Sequence, residues 1–324
     1  MDEPAISVVI VAYRQREALV EALESVHSAA AAVPGGAELI VVDNGDLAAL
    51  VRELAPEAQL IEPGENLGFA GGVQRGLAAA RGRWVALVND DARVERDCLA
   101  RLLAAGEADS RVGAVAAQIR FAADPLRINS AGICVDSLGI ASERLAGRDA
   151  AEAAQPCEVF GATACVALYR RAMIESVGGL DARFFAYLED VDLAWRARAG
   201  GWRAVYEPGA VAYHRGSASS GEGSARKYFL VGRNRMRLLA RNATTGQLIR
   251  ALPGIVVYDL AYVLYVAAGD RTLAPLRGRL AGLREWRSFR REGRDGRRPV
   301  QLSSATRGWL GSLRQHRAYR RLGA

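Results

Sequence analysis

Carboxylates that follow apolar runs are the residues of this chain best placed for chemistry. Asp90 and Asp91 come after Trp84–Val88, Asp43 closes Glu38–Val42, and Tyr13 follows Ile6–Val11. Adjacent carboxylates repel unless a cation lies nearby, so a divalent ion at Asp91, shared with phosphate oxygens, is one reading of the pair. Capping of the next turn is the other, and for an isolated pair it is the commoner. Glu189, Asp190 and Asp192 form a second acidic group at the expected start of a helix, where the helix dipole favours negative charge by about 0.3–1 kcal/mol. Helix capping and a base acting on a hydroxyl are both open there. His214 follows the strand-like stretch 207–213 and is one of three histidines. A lone histidine is usually structural, but beside a two-carboxylate strand end an imidazole suits a metal such as manganese. The glycine-rich stretch Asn66–Gly72 leads into a helix, where backbone N–H groups can meet an anion. It has neither the GxGxxG spacing of a dinucleotide site nor the Gly-Lys-Ser/Thr of a P-loop, and close helix packing explains it equally well.

The elements that position these groups alternate. Ile6–Val11, Glu38–Val42, Leu60–Ile61, Trp84–Val88 and Val112–Ala117 read as strands. Helical stretches at 15–31, 72–80 and 96–105 separate most of them, which implies an α/β fold with a mostly parallel sheet covered on both faces. Ligands of such sheets bind beyond the carboxyl ends of the strands; there Tyr13, Asp43, Asp90 and Asp91 converge. The stretch 121–154 is polar and turn-rich and gives no clear element. Gly161–Arg170 reads as a strand, Arg171–Val177 as a helix stopped by Gly178 and Gly179, Glu189–Ala199 as a helix and Trp202–Tyr206 as a strand. Ser217–Ser224, rich in small residues, is a candidate lid. Beyond Ala225 the pattern is helical.

Seven ordered motifs carry a resemblance: SVVIVAYR (7–14), VVDNG (41–45), NLGFAGGVQRGL (66–77), LVNDDARV (87–94), FGATACVALYRR (160–171), FFAYLEDVDLAWRARAGGW (184–202) and YEPGAVAYHRGSAS (206–219). Together they resemble the inverting glycosyltransferases of family 2, with the GT-A fold, over roughly residues 5–240. Within the family the chain looks most like bacterial rhamnosyltransferases that build cell-surface polysaccharide. The resemblance implies a catalytic domain at 1–240, with a donor half to about 120 and an acceptor half after it, and a helical, Arg-rich region at 241–324. It implies a nucleotide-diphosphate sugar donor held by Ala12, Tyr13, Asp43, Asn66, Gly68, Arg75 and Asp90, with Asp43 at the base and Asp90 at the ribose. Asp91 and His214 would bind Mn²⁺ or Mg²⁺, and Asp190 would be the catalytic base. Gly161, Ala162, Glu189, Trp195 and Arg196 would support the acceptor or the base. Asn89 stands where a first Asp often sits, and Gln74 replaces a common Asn. The expected reaction moves L-rhamnose from dTDP-rhamnose to a glycan or lipid-linked hydroxyl. Galactofuranose, N-acetylglucosamine or glucose are the alternative sugars, and a non-catalytic nucleotide-sugar-binding assembly partner is the alternative class.

The net charge of +7 divides unevenly. Residues 271–324 hold 15 arginines against three acids, a balance of +12, while residues 1–270 hold 28 basic and 33 acidic residues, a balance of −5. A basic tail on a mildly acidic body points to an anionic membrane surface; no helix-turn-helix, RNP or zinc pattern favours nucleic acid. Leu252–Ala268 is the most apolar helical stretch, shorter than the roughly 20 residues of a span and interrupted by Asp259. It reads as a helix packed on the domain, at a homo-oligomer interface, or lying in a membrane surface with Tyr258, Tyr262 and Tyr265 on one face. The start of the chain has no secretory h-region, and four scattered cysteines without CxxC spacing suit reduced thiols. Both favour the cytoplasm, with a peripheral place at the inner face of the plasma membrane.

Overall fold

The computed structural model describes residues 3–216, 224–293, 299–303, 315 and 321. Its first half runs β1 (Ile6–Ala12), α1 (Arg16–Ala30), β2 (Ala37–Asp43), α2 (Ala48–Leu54), β3 (Gln59–Ile61), α3 (Gly68–Ala79), β4 (Trp84–Asn89), β5 (Ala92–Val94), α4 (Cys98–Glu107) and β6 (Val112–Phe121). The second half continues with β7 (Asp124–Ser130), β8 (Ile133–Val135), β9 (Ala141–Glu143), β10 (Cys157–Val159), β11 (Val166–Arg170), α5 (Arg171–Val177), α6 (Glu189–Ala199) and β12 (Arg203–His214). There follow α7 (Ala225–Asn242), α8 (Thr245–Gly269), α9 (Ala274–Arg284) and α10 (Trp286–Glu292).

Ten of the strands form one sheet whose main path is β10-β12-β6-β11-β4-β1-β2-β3. The half from β4 to β3 is parallel, and β12 is parallel to β6. The short β11 runs antiparallel to both β4 and β6 and joins the halves. β1 is buried throughout because each of its faces meets a core. Ile6, Val8 and Ile10 pack with Leu19 and Leu23 of α1 and Leu102 of α4. Val9 and Val11 face Ala70 and Val73 of α3 and Met173 of α5. A run buried on both sides cannot alternate with polar residues, which is why the sequence reads as continuous Ile and Val.

Three elements differ from the sequence reading. α3 begins at Gly68, a turn earlier than expected, so the glycine-rich stretch is mostly helix. A Cβ on Gly72 or Gly76 would collide with Val11 or Val9, so these glycines let α3 lie directly on β1. The strand expected at Gly161–Arg170 starts only at Val166, and the strand expected at Trp202–Tyr206 runs on to His214 through a bulge. The unassigned stretch 121–154 supplies β7 on the sheet, the β8–β9 hairpin, and a short 3-10 turn at Ala150–Ala153 closed by a capping box from Asp149.

A third core joins the β8–β9 hairpin, α6, α7 and α8 through Ile133, Val135, Trp195, Leu238, Leu239 and Ile255. A boundary drawn after residue 240 falls inside the last turn of α7. That turn is anchored by ions: fully buried Asp192 of α6 accepts from Arg196 Nε at 2.8 Å, Arg241 Nη1 at 3.0 Å and Asn242 Nδ2 at 2.8 Å. Asp259 of α8 likewise faces inward, where its Oδ1 takes Arg235 Nε and Arg279 Nη2, each at 2.8 Å. α8 is long and apolar enough to cross a membrane by length and composition, yet it lies against α7 through this pair and exposes its other side. The lid expected at 217–224 lies outside the described residues except Ser224, which caps α7; so does much of the basic tail.

Asp192→Ala leaves two buried guanidiniums without their shared counter-ion. The expected loss of stability is about 3–5 kcal/mol, measured by denaturant unfolding; a loss within experimental error would show that the pair is dispensable.

Candidate active site

Past the carboxyl ends of β1 and β4 opens a cavity of about 480 Å³. Of the four strand-end residues Tyr13, Asp90 and Asp91 line it and Asp43 does not, and Asn66, Gly68, Glu189, Asp190 and His214 line it as well. Asp90 Oδ2 accepts the Tyr13 N–H at 2.7 Å, tying the end of β4 to that of β1. Burial pushes the Asp90 carboxyl up to about 7, against the pull of that hydrogen bond and with the neighbouring Asp91 adding to the shift.

β12 carries His214 to Asp91 by pairing antiparallel with β5, where His214 lies opposite Ala92. His214 Nε2 and Asp91 Oδ1 are 3.1 Å apart; the Asp91 side chain is buried and that of His214 is nearly so. Burial opposes a charged imidazole, but Cys165 and Asp91 outweigh it and hold His214 above its ordinary value. Burial also pushes the Cys165 thiol up. The ring's Nδ1 is buried without a hydrogen-bond partner among the described residues.

Asp190 sits in the first turn of α6. Its Oδ1 accepts the Val191 N–H at 2.8 Å and its Oδ2 the Ala164 N–H at 3.2 Å. Burial pushes its carboxyl up, and these two bonds with the Thr163 hydroxyl work the other way. Glu189 is pushed up by burial and by the charge of Asp190, and its Oε2 has no partner. Glu143 completes the acidic side. Burial, then the charge of Asp190, pushes it up to about 8, although the Ser130 hydroxyl donates to it. Sequence reading missed Glu143, because it stands on the β8–β9 hairpin, in the stretch without periodicity.

The loop before α6 is strained. Phe185, Tyr187 and Leu188 have φ of 67°, 71° and 66°, a left-handed region costly for residues with a Cβ. Asn234 of α7, fully buried, donates through Nδ2 to the carbonyls of Phe184, Ala186 and Tyr187 at 2.7–2.9 Å. Gly68 fits beneath this loop; a Cβ there would lie 2.5 Å from the Phe185 carbonyl oxygen.

Other expected site residues serve the scaffold. Asp43 folds its own loop, accepting the Gly45 and Leu47 N–H groups at 2.9 and 2.8 Å. The Ala12 carbonyl accepts the Asn44 N–H at 2.9 Å, and Asn44 Nδ2 reaches the Gly68 carbonyl. Gly161 accepts the Ile133 N–H, and Ala162 the Tyr169 hydroxyl at 2.8 Å. None of Asp43, Ala12, Gly161, Ala162, Arg75, Trp195 and Arg196 lines the cavity. Arg75 is exposed on α3. Trp195 packs edge-on to Phe160 at 5.9 Å. Arg196 is spent on Asp192 and on the carbonyls of Val177 and Gly179. In the place of these last three the cavity receives Asn129, Thr163 and Ala164, and at its far end Arg226, Lys227, Arg235 and Arg279.

The family model for glycosyl transferase family 2 matches residues 7–178, more than half of the chain. The chain belongs to glycosyltransferase family 2. It has the GT-A fold of that family, seen also in its structural neighbours. One is GalNAc-T7 solved with UDP, GalNAc and Mn²⁺, with a TM-score of 0.57 and 14% identity over 74% of this chain and 48% of the other. Another is the mannosyltransferase PcManGT of Pyrobaculum calidifontis with GDP-Man and Mn²⁺, with a TM-score of 0.53 and 19% identity over 90% of this chain and 85% of the other. Among curated relatives, an N-acetylglucosaminyl-diphospho-decaprenol L-rhamnosyltransferase of Mycobacterium tuberculosis is 45% identical over 58 residues, 18% of this chain and 19% of that protein. The succinoglycan biosynthesis protein ExoO of Rhizobium meliloti is 34% identical over 109 residues, 32% of this family 2 chain and 30% of that protein. An uncharacterized protein of Sinorhizobium fredii, y4gI, is 29% identical over 58% of this chain and 22% of that protein. The chain thus spans less than a third of each of these three relatives.

A carboxyl with a raised folded value binds a proton that the unfolded chain releases, so its stabilising effect is full at low pH and is lost as pH rises. For Glu143 that window runs from its ordinary 4.5 to about 8. Glu143→Gln is expected to flatten the decline in unfolding free energy between about pH 5 and pH 8. Equal slopes for the variant and the parent, from denaturant titrations, would remove the assignment.

Proposed function

We propose that this glycosyltransferase moves L-rhamnose from dTDP-rhamnose onto a hydroxyl of a glycan or lipid-linked glycan, with inversion at the anomeric carbon. The observation that carries the reaction is the single cavity holding Asp190 together with the Asp91–His214 pair. The choice of sugar, and of cell-surface polysaccharide as the product, leans on the names of the rhamnosyltransferase and succinoglycan relatives.

Asp91 and His214 are the residues that would hold Mn²⁺ or Mg²⁺. Their 3.1 Å separation suits two neighbours in one coordination shell with bonds of about 2.1 Å. Among the described residues no three of His, Cys, Asp and Glu cluster to cage an ion. That fits an ion whose remaining ligands are diphosphate oxygens and water. When bound, such an ion neutralises charge developing on the leaving diphosphate. Tyr13, Asn66, Gly68 and Asp90 face the same space and are the donor contacts in this reading; Ala12, Asp43 and Asn44 shape the wall behind them.

Asp190 takes the acceptor proton. The acceptor oxygen forms its bond to the anomeric carbon on the face opposite the leaving group, the bond to the diphosphate oxygen breaks, and the nucleoside diphosphate departs. The two backbone N–H groups on Asp190 stabilise its ionised form, while burial makes it a stronger base than an exposed aspartate. The chain works at the cytoplasmic face of the membrane, resting on anionic lipid through its basic C-terminal region.

Asp190→Asn is expected to lower transfer by about 10²–10⁴-fold with nucleotide binding unchanged; turnover near the parent value would rule out the base. In a thermal-shift panel of nucleotide sugars with Mn²⁺, dTDP-rhamnose is expected to stabilise most, and the shift to vanish with chelator or in Asp91→Ala. A larger shift from another sugar would reassign the donor, and a shift indifferent to metal would reassign Asp91. Flotation with anionic liposomes should recover the protein at low salt and lose it at high salt. No lipid binding at low salt would end the membrane claim.

A further inference from the structure

The cavity is electrically divided. Asp90, Asp91, Glu143, Glu189 and Asp190 crowd its sheet end, whereas α7 and α9 contribute Arg226, Lys227, Arg235 and Arg279 to the other. Donor chemistry uses the sheet end, and nothing in that reaction uses the four cations. Asp259, which pairs with two of them, offsets only part of their charge. Arg235 gives its remaining donors to the carbonyls of Gly139 and Leu138 at 2.8 and 3.1 Å. Arg279 is 6% exposed, and its Nη1 reaches the Pro275 carbonyl at 3.2 Å, but its Nε is buried with no hydrogen-bond partner among the described residues. A buried guanidinium N–H left unpaired beside a cavity costs free energy that an incoming anionic oxygen recovers. Tyr258 and Tyr262 of α8 stack at 6.1 Å under Arg235 and Arg279, each guanidinium 5.1 Å from its ring, and hold the cations at the cavity wall.

The same helix has an outer side. Leu252, Val257, Leu260 and Leu264 of α8 are more than half exposed, and Leu280 and Leu283 of α9 are about half exposed. Arg250, Arg277, Arg284 and Arg287 are exposed around them. An anion pocket on the inner side of a helix whose outer side is apolar and rimmed by arginine fits one kind of molecule, an anionic head on a long hydrocarbon chain.

We propose that Arg279, Arg235 and Arg226 hold the diphosphate of a lipid-linked acceptor, whose hydrocarbon chain lies along the exposed face of α8 and α9. This rests on the transferase reading above, and it places the acceptor's first sugar in the cavity with Asp190. The acidic sheet end repels a free diphosphate when no metal is present, so metal-free binding reports on the cationic end alone.

The test is calorimetric titration of the full chain with farnesyl diphosphate in chelator, with inorganic diphosphate and farnesol as parallel arms. Farnesyl diphosphate is expected to bind more tightly than either, and Arg279→Gln to weaken it about tenfold or more. Arg226→Gln, at an exposed position, is expected to act in the same direction and guards against a folding failure at Arg279. Leu260→Ser with Leu264→Ser should weaken farnesyl diphosphate and leave inorganic diphosphate unchanged. Equal affinity for inorganic and farnesyl diphosphate would make this a soluble-anion site and overturn the proposal. So would unchanged binding in both arginine variants, or a dimer that dissociates in the double serine variant and ignores the lipid. Farnesyl diphosphate binding without any sugar transfer would keep this subsite and fail the function; transfer to a soluble acceptor without lipid binding would do the reverse.

Discussion

Buried charge on α7 governs how this glycosyltransferase is put together. Arg235, Arg237 and Arg241 are each about 5% exposed, and every one is committed to a carboxylate. Arg241 reaches Asp192 of α6 as well as Asp181 and Glu292. Arg235 reaches Asp259 of α8, and Arg237 reaches Glu285 just before α10. Ions taken out of water are tolerated only in good geometry with their hydrogen bonds met. The network therefore contributes little by weight and a great deal by direction, because it fixes where α6, α8 and α10 can sit. Asp190, the proposed base, is on α6, so its position is set by the neighbouring helix α7.

The parallel half of the sheet could be read from the residues, since strands buried on both faces leave unbroken Ile-Val runs and the acids follow them directly. Asp91 and His214 needed the motif context, as nothing in a lone histidine points to a particular strand end. The β5–β12 pairing that joins them lies beyond a bulge at Pro208–Ala210, and that Pro-Gly break hid the strand's continuation to His214. Glu143 was invisible for a related reason, as its hairpin has neither period 2 over a useful length nor a turn signature that fixes its register. The resemblance made Trp195 and Arg196 supports of the site, and they do not line the cavity: helical geometry turns them away from Asp190, into the core and the Asp192 pair.

Crowding of like charge is tolerated in the cavity because different acids are kept at different tasks. Asp190 is held by backbone N–H groups that favour its anion, whereas Glu143 is bonded to side-chain hydroxyls and is pushed up to about 8 by burial and by the charge of Asp190. Neighbouring carboxyls divided in this way do not compete for one charge state. Asp91 has an imidazole as its counter-ion in the same space.

The loop before α6 has a bearing on the order of events during synthesis. Its left-handed residues are secured by Asn234, which lies almost fifty positions further along the chain. A nascent chain that has delivered every cavity carboxylate still lacks the residue that folds the approach to Asp190. The sheet can form first, as N-terminal units generally do, but the loop takes its working shape only after α7 has been made and has docked. In a half-made chain the sheet therefore stands folded while the approach to Asp190 is still unset, and the helices made last complete it.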